Sequence, residues 1–140
     1  MTAQNSPKDA ITALRDAKTI AVVGLDSRRD RVAYSIADYL QRAGYTIIPV
    51  HRGRFPAETV LGEQAYESLR DIPGHVDLVD VFVRSNETSP VIDDAIAIKA
   101  GAVWLQQAIY NPEGLARAAA AGLATIEDAC TMVEHRRLRR

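Results

Sequence analysis

Runs of aliphatic and β-branched residues alternate along this chain with segments whose apolar positions recur every three or four residues. Lys18-Thr-Ile-Ala-Val-Val-Gly24 is the first such run, and an apolar stretch ending in glycine reads as a strand buried on both faces of a parallel sheet. From Val32 to Ala43, Ile36, Leu40 and Ala43 mark one helical face with Ala33 and Ala37 beside them, and Gly44 supplies the stop. Tyr45–Val50 is the second strand, with Pro49 near its end, where a missing amide donor costs least. A polar loop follows, from Arg52 toward Glu63.

Beyond the loop, Ala65–Leu69 predicts a short helix, Asp71-Ile-Pro-Gly74 a turn and Val76–Val83 a strand. Ser89 is placed to cap a helix with Pro90 at its first position and Asp93 and Asp94 toward the positive end of its dipole. Ile92, Ile96 and Lys99 share a face of that helix, and Gly101 closes it. Ala102–Leu105 is a further strand. Asn111-Pro112-Glu113 opens an alanine-rich helix that stops at Gly122, Leu123–Ile126 is a last strand, and Asp128–Leu138 reads as a terminal helix. Strands alternating with helices predict an α/β protein with a Rossmann-like, doubly wound parallel sheet in three layers, α/β/α.

A length of 140 residues suits one domain, 1–140, and leaves no room for a separate substrate domain. The 17 basic and 18 acidic side chains leave a net charge of −1, which argues against a nucleic-acid partner held by bulk charge. A single cysteine, and an N-terminus (MTAQNSPKDA) without the basic and apolar regions of a secretory signal, predict a cytoplasmic protein. No apolar run approaches the roughly 20 residues of a membrane-spanning helix, so no membrane partner is expected.

Open parallel sheets bind ligands outside the carboxyl ends of their strands, and Gly24-Leu25-Asp26-Ser27-Arg28-Arg29 follows the first strand there. A glycine at this turn lets the backbone approach a pyrophosphate, while helix-start amides and the Ser27 hydroxyl can donate to its oxygens. On this reading Gly24→Val blocks the phosphate and spares the fold. Only Gly24 of the three fingerprint glycines is in place, so a plain βα turn is the structural alternative. Between residues 28 and 54, Arg28, Arg29, Arg31, Arg42, Arg52 and Arg54 face two acids, Asp30 and Asp38. Val50 is followed by His51-Arg52 rather than by the acid that takes the ribose hydroxyls of NAD, which favours a phosphorylated ribose. NADP and coenzyme A both qualify, and a solvated arginine loop remains the bland alternative.

Several blocks occur in order: Lys18–Gly24, Tyr34-Ser-Ile-Ala-Asp-Tyr-Leu40, Gly44–Val50, Leu61-Gly-Glu63, Val79-Asp-Val-Phe82, Val103-Trp-Leu-Gln106 and Glu134-His135. Through them nearly the whole chain resembles the coenzyme A-binding domain family, small single-domain proteins related to the N-terminal part of the succinyl-CoA synthetase α subunit. The resemblance implies a protein that binds coenzyme A or an acyl-CoA as carrier, sensor or subunit. It implies a pyrophosphate over Gly24 to Ser27, an adenosine end on the residues after Val50, a crevice bordered by Phe82, Val83 and Arg84, and Ile109 on the pantetheine side. Three positions depart from the family's pattern. His51-Arg52 stands in place of Asn-Pro, Gln107-Ala108 where a glycine is usual, and Asp128-Ala-Cys130 in place of Asp-Arg-Cys. The synthetase reaction uses a phosphohistidine and an ATP-grasp partner that lie outside this domain.

Cys130, Glu134 and His135 fall within six residues, but on a helix His135 lies about 140° from the face that Cys130 and Glu134 share. His51 and His75 sit in separate loops, so no metal set converges. Asp93 and Asp94 point apart as helix neighbours, and Trp104 belongs to a buried strand. No catalysis is therefore expected of the chain alone. An NADP-dependent oxidoreductase and a pure interaction module are the competing readings.

Overall fold

The computed structural model describes residues 7–52 and 59–139. In chain order the elements are α1 (Pro7–Asp16), β1 (Thr19–Val23), α2 (Val32–Arg42), β2 (Thr46–Val50), β3 (Thr59–Val60), β4 (Glu63–Gln64), β5 (Leu78–Val81), α3 (Thr88–Ala97), β6 (Ala102–Leu105), α4 (Pro112–Ala120), β7 (Ala124–Ile126) and α5 (Thr131–Leu138), with single 3₁₀ turns at Leu69–Asp71 and Ser85–Glu87. Five strands form one parallel sheet in the order β2-β1-β5-β6-β7, and β3 and β4 make a separate antiparallel pair. Alternate strand residues feed two cores. Ile20, Val22, Leu78 and Trp104 pack with α1, α2 and α5, while Ala21, Val79, Val81 and Val103 pack with α3 and α4. The result is the expected three-layer, Rossmann-like α/β fold. No helix among the described residues is long and apolar enough to cross a membrane.

Local signals set several elements. Asn111 caps α4 by accepting the Gly114 amide at 2.8 Å, with Pro112 in the first turn and Gly122 leaving it at φ +98°. Elsewhere tertiary context prevails. Ala65–Leu69 is not a helix, because Tyr66 bridges Val50 in parallel, donating its amide to Pro49 O (3.0 Å) and accepting from His51 N (2.9 Å). Nor does Ser89 cap α3. The helix starts at Thr88, whose hydroxyl donates to Ser85 O at 2.7 Å, and Ser89 Oγ instead accepts from Asn111 Nδ2. Asp93 and Asp94 lie beyond the first turn and pair with Arg117 and Arg70. The left-handed residue that ends α3 is Lys99 (φ +57°) rather than Gly101. Gly101 is required for a different reason, since a Cβ there would stand 2.6 Å from Asp77 O. The terminal helix begins at Thr131, three residues later than the sequence predicts, with Cys130 as its N-cap.

A sealed polar group lies on β5 in the middle of the sheet. Asp80 is fully buried; its Oδ1 accepts from Gln106 Nε2 at 2.6 Å and its Oδ2 from Thr131 Oγ1 at 2.9 Å, while Gln106 Nε2 also lies 2.8 Å from Thr131 Oγ1. These bonds tie β5 and β6 to the first residue of α5. Burial pushes the Asp80 carboxyl up to about 7, and the two donors offset only part of that shift.

Candidate functional site

The chain leaves β1 toward β2 on one side, and β5 lies on the other, so strand order reverses between β1 and β5. A crevice forms outside their carboxyl ends. Gly24 opens the turn at φ +99°, its amide donating to Val50 O at 2.7 Å. A Cβ on Gly24 would meet Phe82 Cβ at 3.2 Å. The glycine is thus required by its left-handed backbone and by the close approach of β5, so a valine there strains the turn itself rather than merely filling phosphate space.

The cleft holds about 500 Å³, in the range of small-molecule sites. Val23, Val50, Leu69 and Val83 give it apolar walls, and Pro90 and Val91 of α3 close one side. Arg28, His51 and Arg52 form a basic flank; Glu67, Ser68, Glu87 and Asp94 form a polar and acidic one. Arg70 Nε holds Asp94 Oδ1 at 2.6 Å, so part of that acidity is already compensated. Asp26, beside the basic flank, accepts hydrogen bonds from Arg28, which hold its carboxyl below the usual range against some burial.

Of the residues expected from sequence, Gly24, Asp26, Arg28, Val50, His51, Arg52 and Val83 line this one cleft. Leu25 is fully buried and anchors the turn in the core, and Phe82 is half-buried beneath Gly24. Ser27 and Arg29 are exposed on the same turn, and exposed Arg84 precedes the 3₁₀ turn at Ser85. Ile109 packs against the α3/α4 core. Arg54 lies outside the described residues. Sequence reasoning missed the far wall, made by Glu67 to Leu69, Asn86, Glu87, Pro90, Val91 and Asp94. Those residues reach the cleft through the Tyr66 bridge and the seating of α3, neither of which has a local signature.

The loop after β6 retains the geometry that glycine favours. Ala108 adopts φ +65° and donates its amide to Asp128 Oδ1 at 2.8 Å, and Asp128 itself has φ +55°. That amide, together with the Tyr110 hydroxyl, holds the Asp128 carboxyl below its ordinary value. The C-terminal group does not converge. Cys130 is buried at the start of α5, Glu134 pairs with Arg137 at 2.9 Å, and His135 Nδ1 lies 2.8 Å from Tyr39 OH. Burial lowers the His135 pKa. His135 also meets the Tyr39 and Tyr45 rings edge-on at 5.5 and 5.6 Å, a packing role.

Comparison with known proteins adds to this geometry. Residues 18–136 match the model of the CoA binding domain family. The Bacillus subtilis protein YneT, itself uncharacterized, is 37% identical over 133 residues, covering 94% of this chain and 96% of its own. A solved structure of a hypothetical protein from Pyrococcus horikoshii superposes with a TM-score of 0.87 at 35% identity, covering 99% of this chain and 95% of that one. An ADP-forming 4-hydroxybutyrate–CoA ligase from Nitrosopumilus maritimus is 29% identical over 79 residues, which span 55% of this chain and 11% of the ligase.

Proposed function

The chain belongs to the CoA binding domain family, and we propose that it binds coenzyme A or an acyl-CoA in the cleft between the carboxyl ends of β1 and β5. The observation that carries the reading is the division of that cleft into apolar walls and a basic flank. Val50, Leu69 and Val83 suit the faces of an adenine ring, and the backbone from Gly24 to Arg28 suits the pyrophosphate. Arg52, exposed at the end of β2, suits the 3′-phosphate. Apolar walls beside a basic flank are the pairing a nucleotide coenzyme calls for, which supports the fit of the group to these residues.

Carrier, sensor or subunit is the role we assign, with the chain performing no turnover of its own. Cys130, Glu134 and His135 each have a structural partner or a buried place away from a common centre, which supports that assignment. Calorimetry with coenzyme A and NADPH is the direct test. Saturable binding of coenzyme A, tighter than NADPH, is expected. Tighter NADPH binding moves the assignment to a nicotinamide cofactor, and saturation by neither ligand leaves an interaction module. Acyl-CoA hydrolysis that disappears in Cys130→Ala or His135→Ala overturns the non-catalytic role.

A further inference from the structure

Asp26 and Arg28 stand side by side on the wall of the cleft, and they satisfy each other. Asp26 Oδ1 accepts the Arg28 backbone amide at 3.0 Å. The guanidinium adds Nε at 3.0 Å to each carboxylate oxygen and Nη2 at 2.6 Å to Oδ2. A turn amide combined with an arginine fork is the donor set that grips a phosphate. Here a carboxylate fills it, tethered two residues away and kept ionised by the arginine. The side chain of Arg28 is 58% exposed and that of Asp26 22%, so the guanidinium is open to solvent and to an incoming anion while the carboxylate is more sheltered.

We propose that Asp26 is an internal stand-in for a phosphate, occupying Arg28 until a ligand displaces it and thereby raising the threshold that any anion entering the cleft must meet. The coenzyme reading supplies only the name of the full ligand; the device itself concerns any phosphate. An incoming anion must break the Asp26–Arg28 fork and tolerate the carboxylate charge beside it. Inorganic phosphate brings nothing to offset that cost. A nucleotide brings a base for the apolar walls and a second phosphate for Arg52. The tethered carboxylate therefore costs every phosphate ligand alike, and only one with further contacts binds well against it.

Removing the charge while keeping the turn tests this. Asp26→Asn retains an oxygen for the Arg28 amide and releases the guanidinium. Calorimetric titrations with inorganic pyrophosphate and with coenzyme A should show Asp26→Asn binding both about two- to fivefold more tightly than the parent, the range spanned by an exposed ion pair. Arg28→Gln should cost more affinity in the Asp26→Asn background than in the parent, because only there is the guanidinium unengaged. Unchanged or weaker pyrophosphate binding by Asp26→Asn, or an equal cost of Arg28→Gln in both backgrounds, overturns the proposal. A pyrophosphate gain with no coenzyme A binding by either protein leaves the stand-in role intact and removes the coenzyme reading. Thermal melts check folding, and if Asp26→Asn is unfolded the same titrations on Asp26→Ser decide the matter.

Discussion

Asp26 stands at the mouth of the cleft with its carboxylate gripped by a guanidinium, whereas Asp80 lies in the middle of the sheet with an amide and a hydroxyl as its partners. Both groups are well hydrogen-bonded, yet their pKa values move in opposite directions. Arg28 draws Asp26 down; burial pushes Asp80 up to about 7. Hydrogen bonding alone therefore does not decide the charge of a carboxylate; a countercharge and access to water do. At the cleft the charge is kept and can interact with a ligand. In the core it is suppressed below neutrality, and the same side chain becomes a structural pin between the sheet and α5.

The largest expected effect lies at the core end of this comparison. With an ordinary value of 3.8 unfolded and about 7 folded, Asp80 retains a proton in the native chain that the unfolded chain has already lost. Its contribution to stability is therefore fully present below about pH 4, falls as the pH rises toward 7, and is flat above that, a change of about 4 kcal/mol at 1.36 kcal/mol per pKa unit. Asp80→Asn imitates the neutral acid and does not titrate. Denaturant melts should find the variant and parent close at pH 4, with the variant gaining as pH rises, by up to about 4 kcal/mol at pH 8. A stability difference that does not vary with pH would show that Asp80 is charged throughout and would erase the contrast with Asp26.

Asp80 also marks the limit of what could be read along the chain. The strand that carries it was legible from the apolar run Val76–Val83, but its partners Gln106 and Thr131 are 26 and 51 residues away. β1, β2, β6, α2 and α4 were legible because β-branched runs, a proline-led helix start and terminal glycines act locally. Helix α1 was overlooked, although Ala10, Ile11 and Leu14 recur at helical spacing after Pro7. Their burial against the sheet side that α5 shares completes the layer. At the cleft, the turn after β1 and the basic residues after β2 were readable because topology places both at one sheet edge. Its far wall was not, since Leu69 and Val91 arrive there only through tertiary packing.

A change at the boundary between the two regions ranks next. Gly24 belongs to the cleft, but its missing side chain leaves room for Phe82. Gly24→Ala places a Cβ at φ +99°, and an L-residue in left-handed conformation costs roughly 1–2 kcal/mol before any clash. Gly24→Val should lose more, because its branched Cβ presses on Phe82, and it should lose coenzyme A binding as well. Paired melts and titrations check both. Full stability with intact binding in Gly24→Val would mean that the turn tolerates another path.

The smallest effect concerns the 3′-phosphate and sharpens the comparison through salt. Arg52 is exposed at the end of β2, and Arg28 is exposed and shared with Asp26. Neither has the seclusion of Asp80, so a contact from either to the 3′-phosphate is an exposed ion pair. Dephospho-CoA should therefore bind only about two- to fivefold more weakly than coenzyme A, less than a buried charge-assisted bond would give. The gap should narrow as salt rises, since screening acts over about 8 Å at physiological ionic strength. The Asp80→Asn stability gain at pH 8 should hardly respond to the same salt, because burial rather than a distant charge produces it. Arg52→Gln should weaken coenzyme A and spare dephospho-CoA; if it weakens both equally, Arg52 reads the pyrophosphate instead. Equal affinity of the parent for both ligands at low salt would place the 3′-phosphate in solvent, beyond the reach of either arginine.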